Sequence, residues 1–397
     1  MSSTGPRARG HDYVRAACVP IIAVNMPDFV NSCLHTVADS AKEVARRARG
    51  NHAPTAKRLL KVLAGKQRIL VTSHMHPDPD ALGSCLAMRA LLRAKLPKDV
   101  TVDLSIKGPI AGGVNAAFTR LAAPLDLVPW DDAKLKSHYD AIILLDVQPQ
   151  FAYSPVPSDV PVTAVIDHHR ARGRPSKLPF RDIRPDVGST TSILFSYLME
   201  QSVDIDSTLG AMLLYAIESD LAGAAGQPDE LDNVAVSNLT LCADPRLLAR
   251  MRYASLPRDY YLAFARGIGE ALYNESLVTT FIGEVTTPEM PAIVADFLLR
   301  LENVQWVLVA GVSKDRLVLS LRTSAPKQSA GEAMRKLIRH YGEGGGHRTK
   351  AGGFAKLENG SPTEIDRLRK LFRKRLLKIA GLPADTRLTR LAPVVEG

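Results

Sequence analysis

The sequence predicts an α/β protein in two parts. The first is an N-terminal, mostly parallel sheet with helices on both faces. The second is a smaller C-terminal α/β domain, with a ligand cleft between the two. Three observations predict this. Short apolar runs, "RILVTS", "AIILLD" and "TAVIDHH", alternate with helical patterns, as crossover-connected parallel strands do. Each of those runs leads into acidic or imidazole side chains. A strand–helix–hairpin pattern then begins afresh near residue 277, after a long helical stretch.

Taken in order, residues 27–65 read as polar and helical, so 1–65 is expected to be a helical extension. The strand "RILVTS" opens a domain expected over 66–275. The helix "DALGSCLAMRALLRAKL" follows it, then the strand "VTVDLSI". Helices dominate from about 188 to 275, starting at "GSTTSILFSYLMEQ", whose Ser and Thr suit a helix N-terminus. A second domain is expected over 276–380. Its parts are the strand "LVTTFIGEV", the helix "MPAIVADFLLRL" and a hairpin "WVLVAGVSKDRLVLSLRTS" turning at Ser313–Asp315. The helix "SAGEAMRKLIRHYG" then runs into a glycine-rich turn, "GEGGGHRTKAGGF". Residues 381–397 read as a tail.

Hydrophobic content of 46% with 23% charged residues places the chain among ordinary globular proteins. No apolar stretch approaches the roughly 20 residues that span a bilayer, which argues against a membrane partner. Cys18, Cys33, Cys85 and Cys242 are too scattered for a paired metal site, and a reduced, cytoplasmic location is expected. The N-terminal "AACVPIIAV" follows Arg7, Arg9 and Arg15 but lacks a small-residue cleavage signature, which argues against a signal peptide. Met26 offers an alternative start to Met1. The net charge of +10 favours anionic partners such as nucleotides or nucleic acid. Much of the excess lies in "KEVARRARG" and in "DRLRKLFRKRLLK". The latter reads first as a solvated face over the apolar stripe Leu368, Leu371, Phe372, Leu376 and Ile379.

The strand ends carry the chemistry. His74, Asp78 and Asp80 follow the first strand, Asp146 the next, and Asp167, His168 and His169 the third. Parallel strands bring these ends to one edge, where open α/β sheets bind ligands. Turn and capping roles account for Asp78 or Asp80 singly, but not for acids at three strand ends plus a His pair. Carboxylates with a minority of imidazoles and no thiolates suit manganese or a similar divalent ion. So many acids point to two ions, which together acidify a bound water into a nucleophile for phosphoryl transfer.

These motifs resemble those of the DHH phosphoesterase superfamily, named for the triplet Asp167-His168-His169. His74, Asp78 and Asp80, with Ala81 and Gly83-Ser84, match its first motif. Asp146 matches its second, and Asp220 in "LLYAIESDL" its helix-end aspartate. Ser320-Leu321-Arg322 and Gly344-Gly345-Gly346-His347 match its associated C-terminal domain. The resemblance implies that 66–275 is a catalytic domain and 276–380 a substrate-binding one. It assigns His74, Asp78 and Asp146 to one ion, and Asp80, Asp146, His168 and Asp220 to the other, with Asp146 bridging. His169 and Arg170 would lie near the scissile phosphate, and Asp167 would orient ligands. Arg322, Gly345, Gly346 and His347 would bind a substrate phosphate. His76 falls at a position the family does not use for metal. Pro79 and the "RTKAGGF" segment depart from the usual pattern, and Lys350 is a candidate further contact.

The implied activity is that of the nano-RNase and 3′,5′-bisphosphate nucleotide phosphatase group. Its cofactors are two divalent ions, manganese by preference. Its partner is a nucleotide or short single-stranded oligonucleotide, and a homodimer is compatible with the chain. The alternatives are a cyclic- or linear-dinucleotide phosphodiesterase, or a non-catalytic nucleotide- or RNA-binding protein on the same scaffold.

Overall fold

The computed structural model describes residues 55–75, 77–108, 110, 116–121, 125–170, 178–221, 228–346 and 348–392. The N-terminal part runs α1 (Ala56–Val62), β1 (Arg68–Ser73), α2 (Pro79–Lys95), β2 (Thr101–Leu104), α3 (Ala116–Leu121), α4 (Lys134–Ser137), β3 (Ala141–Leu145), β4 (Ala164–Asp167) and β5 (Phe180–Ile183). It continues through α5 (Thr190–Glu200), α6 (Ser207–Leu221), α7 (Glu230–Cys242), α8 (Pro245–Arg252) and α9 (Arg258–Gly269). Among the described residues its five strands pair in the order β2-β1-β3-β4-β5, all parallel. The order reverses between β1 and β3. That makes the gap at their carboxyl ends the natural ligand crevice of a doubly wound sheet.

β3 is buried along its whole length, as an apolar strand in the middle of a parallel sheet must be. The two faces are covered unequally. On one, Ile69, Val71, Ile143 and Ile166 pack beneath α2, α5 and α6. On the other, Leu70, Leu144 and Val165 meet Leu135 of the short α4 and the irregular stretch with Val147, Val156 and Val160. β5, "FRDI", carries two charged residues in four, and so hides its strand character from a hydropathy reading.

The second part contains β6 (Leu272–Asn274), β7 (Leu277–Glu284), α10 (Met290–Leu298), β8 (Trp306–Ser313), β9 (Arg316–Thr323), α11 (Ala330–Ile338), β10 (Gly342–Gly346), β11 (Lys350–Lys356), α12 (Pro362–Ile379) and β12 (Thr389–Arg390). They form a mixed sheet, β10-β11-β9-β8-β7-β6-β12, in which only β7 and β8 are parallel among the described pairs. Alternation along β8 explains its two cores. Trp306, Leu308 and Ala310 face α11 and α12, whereas Val307 and Val309 face α9 and α10. The hairpin turns at Lys314–Asp315, where Ser313 pairs with Arg316. On α12, Leu368, Phe372 and Leu376 are buried, so its basic residues form the outer face of a packed helix.

Two expectations are corrected here. The glycine run is not a turn. Gly342–Gly346 is an edge strand paired antiparallel to β11. The stretch after Gly381 is not all tail, because β12 pairs with β6 and the Leu391 amide bonds the Ala271 carbonyl. The amino-terminal extension lies almost wholly outside the described residues.

Gly83 sets how closely the helices behind the first sheet's edge approach. A Cβ there would lie 2.4 Å from the Ala216 Cβ on α6 and 3.0 Å from Thr191 Oγ1 on α5. Neither neighbour is a flexible chain end that can swing away. Gly83→Ala is therefore expected to lower unfolding free energy by about 1–3 kcal/mol. Urea denaturation of the two proteins checks this, and unchanged stability would show that α2 and α6 can separate freely.

Candidate metal centre

Sheet topology gathers the predicted residues at the β1/β3 crevice. His74 follows β1. Asp78 is the N-cap of α2, its Oδ1 accepting from the Ala81 amide at 3.0 Å. Pro79 takes the first helical position, where its missing N–H costs nothing. The capping role and the cluster role of Asp78 thus coexist. Asp80, one residue into the helix, is fully buried.

Asp146 directly follows β3 with φ of +58°, a left-handed conformation that Asp tolerates better than most residues. Its two carboxylate oxygens face different imidazoles. Oδ2 lies 3.4 Å from His74 Nε2, and Oδ1 lies 3.5 Å from His168 Nε2. His168 Nε2 is also 3.3 Å from Asp220 Oδ2, at the end of α6. Three overlapping donor groups result: His74, Asp78 and Asp146; Asp80, His168 and Asp220; and Asp146, His168 and His169.

Imidazole tautomers test whether this set fits a metal. His74 Nδ1 donates to the Met75 carbonyl at 2.9 Å, and His168 Nδ1 to the Val187 carbonyl at 3.2 Å. Each Nε2 therefore faces carboxylate oxygens, an arrangement that needs a proton or a metal ion between them. The N···O separations of 3.3–3.5 Å exceed ordinary direct hydrogen bonds. They suit donors that share an ion at bond lengths of about 2.0–2.2 Å. The residues present fit divalent metal.

Electrostatics agree. Burial, then the Asp220 charge, push the Asp80 carboxyl up to about 7, despite the nearby His168. Burial and the Asp80 charge likewise raise Asp146 well above the usual carboxylate range. Burial opposes the charge on His168, but the carboxylates of Asp220, Asp146 and Asp80 outweigh it and raise the imidazole to about 10. The site is short of positive charge.

Sequence reasoning placed a helix N-terminus at the start of α5 but missed what it and other residues behind the cluster bind. Both Asp80 oxygens accept backbone N–H bonds at the start of α5, from Thr190 at 2.8 Å and Thr191 at 2.9 Å. The anion at that helix N-terminus is thus the protein's own. Thr190 Oγ1 also donates to Asp146 Oδ1 at 2.8 Å. Gln148 Nε2 donates to Asp167 Oδ2 at 2.6 Å and to the His169 carbonyl at 3.0 Å. Asp167 in turn receives His169 Nδ1–H at 2.7 Å. Burial works against the Asp167 carboxylate, yet His169 and His168 hold it below its ordinary value.

Other predicted residues behave differently. Arg170 is exposed, 4.0 Å from Asp186, and is not drawn into the cluster. Arg322 is buried, and its fork is taken by Asp296, with Nε to Oδ1 at 2.5 Å and Nη2 to Oδ2 at 3.1 Å. Its expected bidentate grip is therefore occupied by a carboxylate of α10. Gly345 pairs with Gly352, and Gly346 with Ala351, within the sheet. Gly346 has φ of +150°, and a Cβ on it would lie 2.3 Å from the Lys350 carbonyl. His347 and His76 lie outside the described residues. Lys350 donates to the carbonyls of Ser219, at 3.4 Å, and Asp220, at 3.1 Å. Together with Ser320, Arg322 and Gly346 it lines a cavity of about 290 Å³. Residue 350 thereby joins that cavity to the helix end bearing Asp220.

A parallel sheet with a carboxylate–imidazole cluster at its switch point, followed by a mixed-sheet domain, defines a class of two-domain α/β metalloprotein. Residues 68–228 match the DHH family N-terminal domain and 274–378 the DHHA1 domain, so the chain belongs to the DHH family. An uncharacterized protein of Methanocaldococcus jannaschii is 27% identical over 81% of this chain and 66% of its own length. A probable manganese-dependent inorganic pyrophosphatase of Listeria welshimeri is 28% identical over 45% of this chain and 56% of its own. The chain thus spans less than two thirds of these relatives. An exopolyphosphatase-related protein from Bacteroides fragilis shares the fold, with a TM-score of 0.66 at 16% identity over 82% of this chain and 97% of that one. Among the described residues, no helix is long and apolar enough to cross a membrane.

The raised acidities set a pH dependence. Between the ordinary carboxylate value and about 7, folded Asp80 keeps a proton that the unfolded chain has lost. Between the ordinary imidazole value and about 10, folded His168 does the same. The unfolded state binds fewer protons in both windows, so metal-free stability falls as pH rises. A divalent ion replaces those protons. The thermal midpoint of the metal-free protein is expected to drop from about pH 5.5 to about pH 8.5, and the gain on adding Mn²⁺ to be larger at the higher pH. A gain that is larger at the lower pH would contradict this.

Proposed function

We propose that the chain is a divalent-metal-dependent phosphoesterase acting on short oligonucleotides or nucleoside 3′,5′-bisphosphates. The observation that carries this reading is the Asp146 carboxylate, whose two oxygens each face a different imidazole Nε2. His74, Asp78 and Asp146 hold one ion, and Asp80, Asp146, His168 and Asp220 the other. Manganese is favoured by the donor set and by the name of the Listeria welshimeri relative. When bound, such ions supply Lewis acidity and an acidified water.

The remaining residues bind and orient. Thr190 fixes the Asp146 carboxylate, and the start of α5 fixes that of Asp80. His169, whose Nδ1–H is held by Asp167 and through it by Gln148, gives a proton from Nε2 to the leaving oxygen and regains one from solvent. Lys350, Ser320 and Gly346 line the cavity that receives the far end of the substrate, with Gly345 and His347 beside Gly346 in the sequence. A phosphate reaching Arg322 competes with Asp296 for its guanidinium.

The Listeria welshimeri relative's name supports a second reading, hydrolysis of inorganic pyrophosphate. Incubation with Mn²⁺ and adenosine 3′,5′-bisphosphate, linear di-adenylate, cyclic di-adenylate or pyrophosphate separates the readings. Release of phosphate or mononucleotide from the first two is expected. Cleavage of pyrophosphate alone would overturn the nucleotide reading, and no cleavage of any substrate would favour a binding protein. Asp146→Ala is expected to lower kcat/KM by on the order of 10³-fold, because it removes a ligand shared by both ions. Activity within tenfold of the parent would contradict the shared-ligand scheme.

A further inference from the structure

Two aromatic side chains beside the metal centre have no part in the scheme above. Phe151 and Tyr153 lie five and seven residues after Asp146, in the segment linking β3 to β4. Both ends of their stretch are tied to the site. Gln148 bonds Asp167 and the His169 carbonyl, and the Tyr153 carbonyl accepts the Met75 amide at 3.0 Å, next to His74. The rings form a continuous run. The Tyr153 and His74 ring centres are 5.9 Å apart and nearly perpendicular. Phe151 lies 5.3 Å from Tyr153 and 6.2 Å from His169. The aromatic wall therefore extends from an imidazole of one donor group to an imidazole of another. Tyr153 is 40% exposed, an unusual degree for a large ring that its neighbours hold in place.

We propose that Tyr153, backed by Phe151, is a stacking platform for a nucleobase of the substrate, so that it selects base-bearing phosphoesters. This deepens the phosphoesterase reading above and rests on it. A phosphate at the Asp146 cluster has its own nucleoside within reach of a ring 5.9 Å from His74, and stacking on such a ring tolerates any base. Inorganic pyrophosphate has no group that can use the wall.

The test compares di-adenylate with a dinucleotide of the same phosphate backbone whose sugars carry no bases, both with Mn²⁺. The readout is the ratio of the two kcat/KM values. Tyr153→Leu is expected to lower that ratio on the order of tenfold, in line with base–aromatic stacking, while Tyr153→Phe keeps it within about twofold. Phe151→Leu lowers it less, and gives a reading even if Tyr153→Leu fails to fold. If the parent protein cleaves both dinucleotides alike, or if both leucine variants leave the ratio unchanged, the platform is overturned and the phosphoesterase reading stands. If the parent protein cleaves neither dinucleotide, the platform falls, and the phosphoesterase reading falls with it only if adenosine 3′,5′-bisphosphate is not cleaved either.

Discussion

Asp80 and Asp146 are buried carboxylates that crowd one imidazole, His168, whose Nε2 faces both Asp146 and the carboxylate of Asp220. Like charges so placed, away from water, repel strongly unless a cation or protons sit among them. Several nearby features either supply partial positive charge to these oxygens or fix where the carboxylates and imidazoles point. The α5 amides and Thr190 hydroxyl do the first, as N–H and O–H donors. The left-handed backbone at Asp146 and the backbone bonds of His74 and His168 do the second. Such a site is poorly stable alone and well prepared for a divalent ion, a trade between stability and function common at active centres.

The fold delivers this arrangement with few special devices. Strand order places the ends of β1 and β3 side by side at the point where connections diverge, so His74 and Asp146 meet without long loops. Gly83 lets α2 lie close to α5 and α6, which brings the elements carrying Asp80, Thr190 and Asp220 together. Lys350 then reaches from the second sheet to the carbonyls at the end of α6, where a cation also complements the helix dipole.

Much of this was legible in the sequence, and the reasons are local. β1, β3 and β4 are apolar runs with chemically abrupt ends, so both the strands and the residues following them stood out. The spacing of His74, Asp78 and Asp80 is read within a single turn of chain. What escaped depends on distance in sequence. Nothing near Thr190 and Thr191 distinguishes an amide pair that holds Asp80, 110 residues away, from ordinary helix capping. The Arg322–Asp296 pair joins a strand to a helix, and only packing reveals that the guanidinium is taken. Glycine's poor strand propensity made Gly342–Gly346 read as a turn, but pairing with β11 overrides it. β5 and β12 were too polar or too short to register.

The central claim is that one carboxylate, Asp146, serves two ions at the switch point of the first sheet. Anomalous diffraction from crystals grown with Mn²⁺ tests it directly. The account predicts two peaks about 3.5–4 Å apart, with Asp146 oxygens bonded to both, His74 on one side and His168 on the other. A single peak, or two peaks that do not share Asp146, would contradict it.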